Sequence, residues 1–306
     1  MPSSISKKGR EHESLWKLGG LTLWQLIKNV LRGSVQDKLM DRASALAFDL
    51  FLALFPMLVI LLTLFGLSAS HSSQFQSSLL TYFAKFLPAA SFEIVRNITA
   101  ELAANASGRK LTFGLLVALW FASGGVASMM STLNAVYRER EERSWYKVRA
   151  TAIGLTLALT LLIVGSLFLV FVGRGLVDWA GAELQLPSAA VVIWKSLQWP
   201  AAVLFMFAPY SLIYYFGPDL NERRWHWISP GSVCGVLLWL ATSIGFRIYL
   251  HYFNTYTATY GSLGALAILL VWLYVTGLAF LMGGEVNAQI ERAAKQVPRD
   301  GWKSAE

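Results

Sequence analysis

Four residues capable of charge or hydrogen-bond chemistry stand where the chain is otherwise apolar. Asp49 is the only charge in a run from about Ser44 to Leu67. Arg247, four residues before His251, lies toward the end of a run from about Pro230 to Phe253. Glu285 and Asn287 close an uncharged run from about Leu263 to Gly284. A charged side chain at membrane depth costs several kcal/mol and usually faces a cavity or a partner. These four are therefore candidates for a substrate pathway. Asp49 lies roughly 7–8 Å into its run at the helical rise per residue. A bland role stands beside each functional one. Asp49 can snorkel to headgroups, and Glu285 and Asn287 can be interfacial polarity; Arg247, deeper than the tyrosines that follow it, is expected to pair inward, with Glu183, Asp178 or a lipid phosphate as candidates.

Catalytic patterns are missing. The four histidines, His12, His71, His226 and His251, fall on different segments, and no HExxH or Cys/His spacing occurs. No GxxxxGK[ST] loop or GxSxG elbow is present, so neither ATP-driven transport nor a serine nucleophile is expected. A single cysteine, Cys234, cannot form an intramolecular disulfide or a multi-cysteine zinc site. The expectation is no catalytic residues, no metal, no cofactor and no enzymatic activity. The Gly19-Gly20, Gly124-Gly125 and Gly283-Gly284 pairs lie beside or within helical stretches. There glycine permits close helix contact more readily than it cradles phosphate.

The elements that must hold these residues are helices in lipid. Of 306 residues, 55% are hydrophobic and 14% charged, against roughly 25% charged in a soluble domain. Six stretches reach the ~20 apolar residues that span a bilayer core: about 44–67, 111–133, 151–173, 192–216, 230–253 and 263–284. Continuous apolar runs argue against a β-barrel, whose strands alternate. The expected class is all-α, a polytopic membrane protein of six transmembrane helices with amphipathic interfacial helices. Residues 1–43 form an N-terminal segment, 44–288 the transmembrane domain and 289–306 a tail. The first 20 residues are polar and do not read as a cleavable signal peptide. Of 26 Lys and Arg, 19 fall on the side that carries both termini, which by the positive-inside rule is cytoplasmic. The net charge of +8 is thus a topology signal, and no nucleic-acid partner is required.

Two segments are patterned to lie on the membrane. In residues 21–32, Leu23, Trp24, Ile27, Val30 and Leu31 share one helical face, edged by Lys28 and Arg32. This fits an interfacial helix and equally a helix packed on the bundle. Residues 72–105 carry two stripes at helical spacing either side of Pro88, which predicts an extracytoplasmic amphipathic hairpin. Pro56, Pro200 and Pro209 fall inside the first and fourth runs, where proline removes a backbone hydrogen bond and predicts helix kinks.

Tyr260-Gly261-Ser262-Leu263, the aliphatic run holding Trp272-Leu273-Tyr274, and Gly283-Gly284-Glu285-Val286-Asn287 resemble the YihY/virulence factor BrkB family. Leu54-Phe55-Pro56, Asn134-Ala135-Val136-Tyr137, and Arg224-Trp225 followed by Pro230-Gly231 agree with it, so the likeness covers about residues 38–290. It implies a six-span bacterial inner-membrane protein. It also implies links to serum resistance and to transport of envelope lipids or small solutes. The label ribonuclease BN carried by such proteins is regarded as a misassignment. Asp49 departs from the aromatic or neutral residue usual there, which makes it particular to this chain. The expected function is a transporter or flippase-like protein for an envelope lipid or other amphipathic or small solute, with membrane lipids as partners. A non-transporting scaffold for envelope assembly and, more remotely, a ribonuclease are the alternatives.

Overall fold

The computed structural model describes residues 15–69, 108–183, 188–220, 228–252 and 255–296. Within them a short 3-10 turn, Leu15–Gly20, precedes seven α-helices: α1 (Leu23–Gln36), α2 (Leu39–Ala69), α3 (Gly108–Tyr137), α4 (Trp145–Glu183), α5 (Ser188–Phe216), α6 (Pro230–Tyr252) and α7 (Thr255–Gln296). Helices α2 to α7 coincide with the six apolar stretches. Among the described residues, Phe113–Tyr137, Trp145–Ser166, Pro230–Leu250 and Leu266–Lys295 are long and apolar enough to cross a membrane by length and composition. The hairpin expected over 72–105 lies outside the described residues. Helix α2 runs on through Pro56 and α5 through Pro200 and Pro209.

Local sequence sets the helix ends. Thr22 caps α1 in a reciprocal box: its hydroxyl accepts from the Gln25 amide, and the Gln25 side chain accepts from the Thr22 amide. Ser229 does the same for α6, trading amide-to-hydroxyl bonds with Ser232 at 3.0 and 2.9 Å. Pro230 follows at the first helical position, where a missing N–H is harmless. Helix α3 ends on Arg138 at φ 58°. Its amide bonds the Ala135 carbonyl and the Glu139 amide bonds the Asn134 carbonyl, the paired closure of a Schellman end. A non-glycine residue costs about 1–2 kcal/mol in that conformation, so its side chain must be held for a reason given below.

Helix α7 organises the bundle. It packs against α6, α2, α3, α1 and the 3-10 turn. At 42 residues it is about 63 Å long, twice a bilayer core of ~30 Å, and it includes the Tyr260-Gly261-Ser262 element. The core at its C-terminal half joins Phe280, Leu281 and Ala288 to Leu39, Leu46, Leu133, Val136 and Ile213. Outward faces are apolar as well. Leu237, Leu240, Ile244 and Ile248 are exposed along α6, and Phe113, Leu116, Val117 and Phe121 along α3. Exposed apolar stripes of this extent belong in lipid. Arg149 of α4 reaches Trp120 of α3. Its guanidinium stacks 3.9 Å over the Trp120 ring and donates to the Trp120 carbonyl.

Helices α6 and α7 meet backbone to backbone at Gly231 and Gly283. A Cβ on Gly231 would overlap the Gly283 carbonyl, and one on Gly283 would overlap the Tyr214 hydroxyl. Gly231→Ala is therefore expected to destabilise the folded protein by ~1–3 kcal/mol, read as a lowered Tm in detergent. Gly154→Ala meets nothing within 4 Å and should leave Tm unchanged or slightly raised.

Candidate functional site

The densest polar constellation is built around Glu285, which is 0% exposed. Its Oε1 accepts from Gln289 Nε2 at 2.6 Å and from Arg292 Nη2 at 2.7 Å. Residues 285, 289 and 292 are four and three apart, so α7 presents all three on one face. Gln289 also donates to the Asn29 carbonyl of α1 at 3.2 Å. Asp37, where α1 turns into α2, lies 3.9 Å from Arg292 Nη1 and 3.0 Å from Arg138 Nε. Arg138 Nη2 reaches the Gln36 side chain at 3.0 Å, which is what its left-handed backbone secures. Two acids and two arginines thus alternate along a chain from α3 through the α1–α2 corner to α7. Glu285 Oε2 and Arg292 Nε and Nη1 are buried and have no hydrogen-bond partner. Such groups are rare in protein interiors, and water or a ligand usually completes them.

The neighbours of Glu285 in sequence each face a different element. Gly283 lies against Tyr214 of α5 and Gly231 and Gly235 of α6. Gly284 lets Leu133 of α3 approach. Val286 joins Leu15, Leu26, Val30 and Ile290 in the cluster that seats α1 and the 3-10 turn. Asn287 Oδ1 accepts from the Gly231 amide at 2.9 Å, and its Nδ2 donates to Ser229 Oγ at 2.9 Å. The helix-opening amide of α6, which has no partner inside its own helix, is thus satisfied from α7. Helix α1 closes over the carboxylate at Gly33, where a Cβ would collide with Glu285 Oε1.

A second polar knot lies at the ends of α3 and α5. Asn134 accepts from the Asp219 amide at 2.7 Å and donates to Glu141 at 2.8 Å. Arg143 donates to the carbonyls of Phe216 and Gly217 at 3.2 and 2.8 Å, placing a cation where the α5 dipole wants one. It also pairs with Glu141 at 2.7 Å. The hydrogen bonds from Arg143, with help from Asn134, hold the Glu141 carboxyl below the usual carboxylate range.

The four predicted pathway residues do not converge. Glu285 and Asn287 belong to the constellation above but engage different helices. Asp49 accepts a 2.5 Å hydrogen bond from Ser128 of α3, about 18 Å along α2 from the Asp37 corner. Arg247 is exposed, on the same side of α6 as the exposed Ile244 and Ile248, and so corrects the expectation of an inward pair. The side chains of Asp178, Glu183 and His251 lie outside the described residues, as do those of Tyr260 and Ser262. Sequence reasoning missed Gly33, Asp37, Gln289 and Arg292 as members of the site. The 285, 289, 292 spacing was the available signal.

This is the segment on which a family model, "Virulence factor BrkB", matches, together with the rest of residues 30–306. The chain belongs to the BrkB family. "Putative ribonuclease-like protein YfkH" of Bacillus subtilis is 30% identical over 255 residues, covering 83% of this chain and 91% of that protein. A "UPF0761 membrane protein" of Tolumonas auensis is 26% identical, covering 83% of this chain and 81% of that protein. Another of Laribacter hongkongensis is 26% identical, covering 90% of this chain and 62% of the relative. No solved structure matches the chain. In this BrkB-family protein the residues of the Gly-Gly-Glu-Val-Asn element gather α1, α3, α5 and α6 around α7.

Two outcomes follow from this geometry. Gly33→Ala should lift α1 off Glu285 and speed tryptic cleavage at Lys28 and Arg32 roughly tenfold, with total helicity by circular dichroism retained. Because the folded Glu141 carboxyl sits below its unfolded value, its stabilisation is fully present above the ordinary carboxylate range and is lost progressively as pH falls from there through the lowered folded value. Thermal melts of the wild type and Glu141→Gln should therefore differ at pH 7, wild type higher, and begin to converge only as pH drops below about 4.

Proposed function

We propose that this BrkB-family protein lies in the bacterial inner membrane with α2 to α7 as six spans. Both termini face the cytoplasm, and the protein moves an envelope lipid or other amphipathic or small solute without making or breaking covalent bonds. The observation that carries the reading is Asp49. A carboxylate deep in the long apolar helix α2 is hydrogen-bonded to Ser128 of α3. Helices α3 and α4 bury further hydroxyls at Ser123, Thr132, Thr156 and Thr160, each bonded to a carbonyl of its own helix. A carboxylate inside an apolar bundle is where a polar headgroup or ion finds a partner that lipid cannot offer. The placement of 19 of 26 basic residues supports the orientation.

The tight glycine packing around Gly283 favours a second reading, a rigid scaffold for envelope assembly. The name of the Bacillus relative raises ribonuclease activity as a third. Among the described residues, no three His, Cys, Asp or Glu side chains gather as a metal-binding group.

Purified protein in liposomes loaded with fluorescent phospholipids and labelled small solutes distinguishes these. The transport reading expects movement above the protein-free rate, reduced at least about tenfold in Asp49→Asn with Tm unchanged. Movement of no candidate contradicts transport, and RNA cleavage by the same preparation would replace it with the third reading.

A further inference from the structure

Helix α1 divides into sectors, one of which no contact among the described residues explains. Leu26, Val30 and Gly33 are buried against α7. Trp24, Ile27, Leu31 and Val35 are 51–78% exposed. At about 100° per residue this exposed stripe is centred roughly 140° from the buried one. Lys28 and Arg32, both exposed, fall next around the helix. Beyond them come Gln25, Gln36 and Asn29, which close the circle back to the bundle. Going round the helix, the order is protein, apolar, basic, neutral polar, protein.

That order is what a helix needs if one flank lies on a bundle, one in hydrocarbon and one in water, with cations at the seam between the last two. The apolar sector continues onto α2, where Met40, Phe48 and Leu52 are exposed on a helix that reads as a membrane span. Val30, grouped by sequence pattern with the outer stripe, belongs to the buried face. A helix merely packed on the bundle would leave four large apolar side chains in water.

We propose that α1 is an in-plane membrane helix whose Trp24–Val35 stripe lies in the acyl region of one leaflet, and whose Lys28 and Arg32 hold the phosphates of anionic phospholipids. Depth is set by packing: Gly33 on Glu285 and the Leu26–Val30 face on α7 fix α1 against the bundle, so the basic seam sits at one level. The lipid is a partner of the protein whether or not it is also a substrate.

The test uses the full-length chain with Cys234→Ser, given a single cysteine at Leu31 or at Gln36 and a nitroxide label. It is reconstituted in vesicles of phosphatidylcholine and phosphatidylglycerol at three to one. The Leu31 label should be accessible to oxygen and shielded from a water-soluble nickel chelate, and the Gln36 label the reverse. In unlabelled protein, Lys28→Gln with Arg32→Gln should lower the preference for spin-labelled phosphatidylglycerol over phosphatidylcholine by at least about twofold at low salt, with Tm unchanged. A nickel-accessible Leu31 label overturns the proposal. So does a shielded label with an unaltered lipid preference, which leaves an apolar helix without a phosphate site.

Discussion

A carboxylate withdrawn completely from water must be answered by partners, and in this protein the answer reaches across most of the chain. Glu285 is satisfied on one oxygen by Gln289 and Arg292 of its own helix. Arg292 leans toward Asp37, and Asp37 holds Arg138. Taking Arg292 away would leave Glu285 without its counter-charge in a low-dielectric setting, which typically costs about 3–5 kcal/mol when the pair is buried; Arg138 is half exposed, and its loss would leave Asp37 with Arg292 alone. The corner between α1 and α2, the end of α3 and the last third of α7 are therefore tied to one another. Arg138 keeps an unfavourable backbone conformation because its side chain belongs to that chain of charges.

Around this charge chain the packing is unusually direct. Glycines at 33, 231 and 283 bring helices into contact through backbone or through the carboxylate itself, and Gly284 admits the Leu133 side chain. Asn287 satisfies the opening of α6 from outside its own helix. The result is an interlocked end, with longer helices extending from it. Asp49 sits away from this end, held by one hydroxyl. A rigid end and a sparsely tied polar position deeper in the bundle suit a protein that keeps its shape at one surface while something polar passes elsewhere.

Much of this was legible in the sequence, for physical reasons. Apolar runs of ~20 residues admit only helices in lipid, so the positions of α2 to α7 could be read directly. The Gly-Gly-Glu-Val-Asn element was recognisable as a motif, but its logic was not. Glu285 meets Gly33, and Arg292 meets Asp37, about 250 positions away in sequence, and periodicity carries no information about such pairs. Arg138 and Arg292 looked like topology charges because a count of basic residues cannot tell a solvated arginine from a paired one. Periodicity also reports a face without saying what covers it. That is why Val30 was grouped with residues that point outward, and why Arg247 was expected to turn inward when it sits among exposed isoleucines.

The interlocked end depends on the energetic coupling of Glu285 to Arg292. A double-mutant cycle, Glu285→Gln and Arg292→Gln singly and together, measured by denaturant unfolding in detergent, tests it most directly. The two losses should overlap, with a coupling of at least about 1 kcal/mol. Losses that add to within ~0.5 kcal/mol would contradict it, because the buried carboxylate would then not depend on the arginine that the structure sets against it.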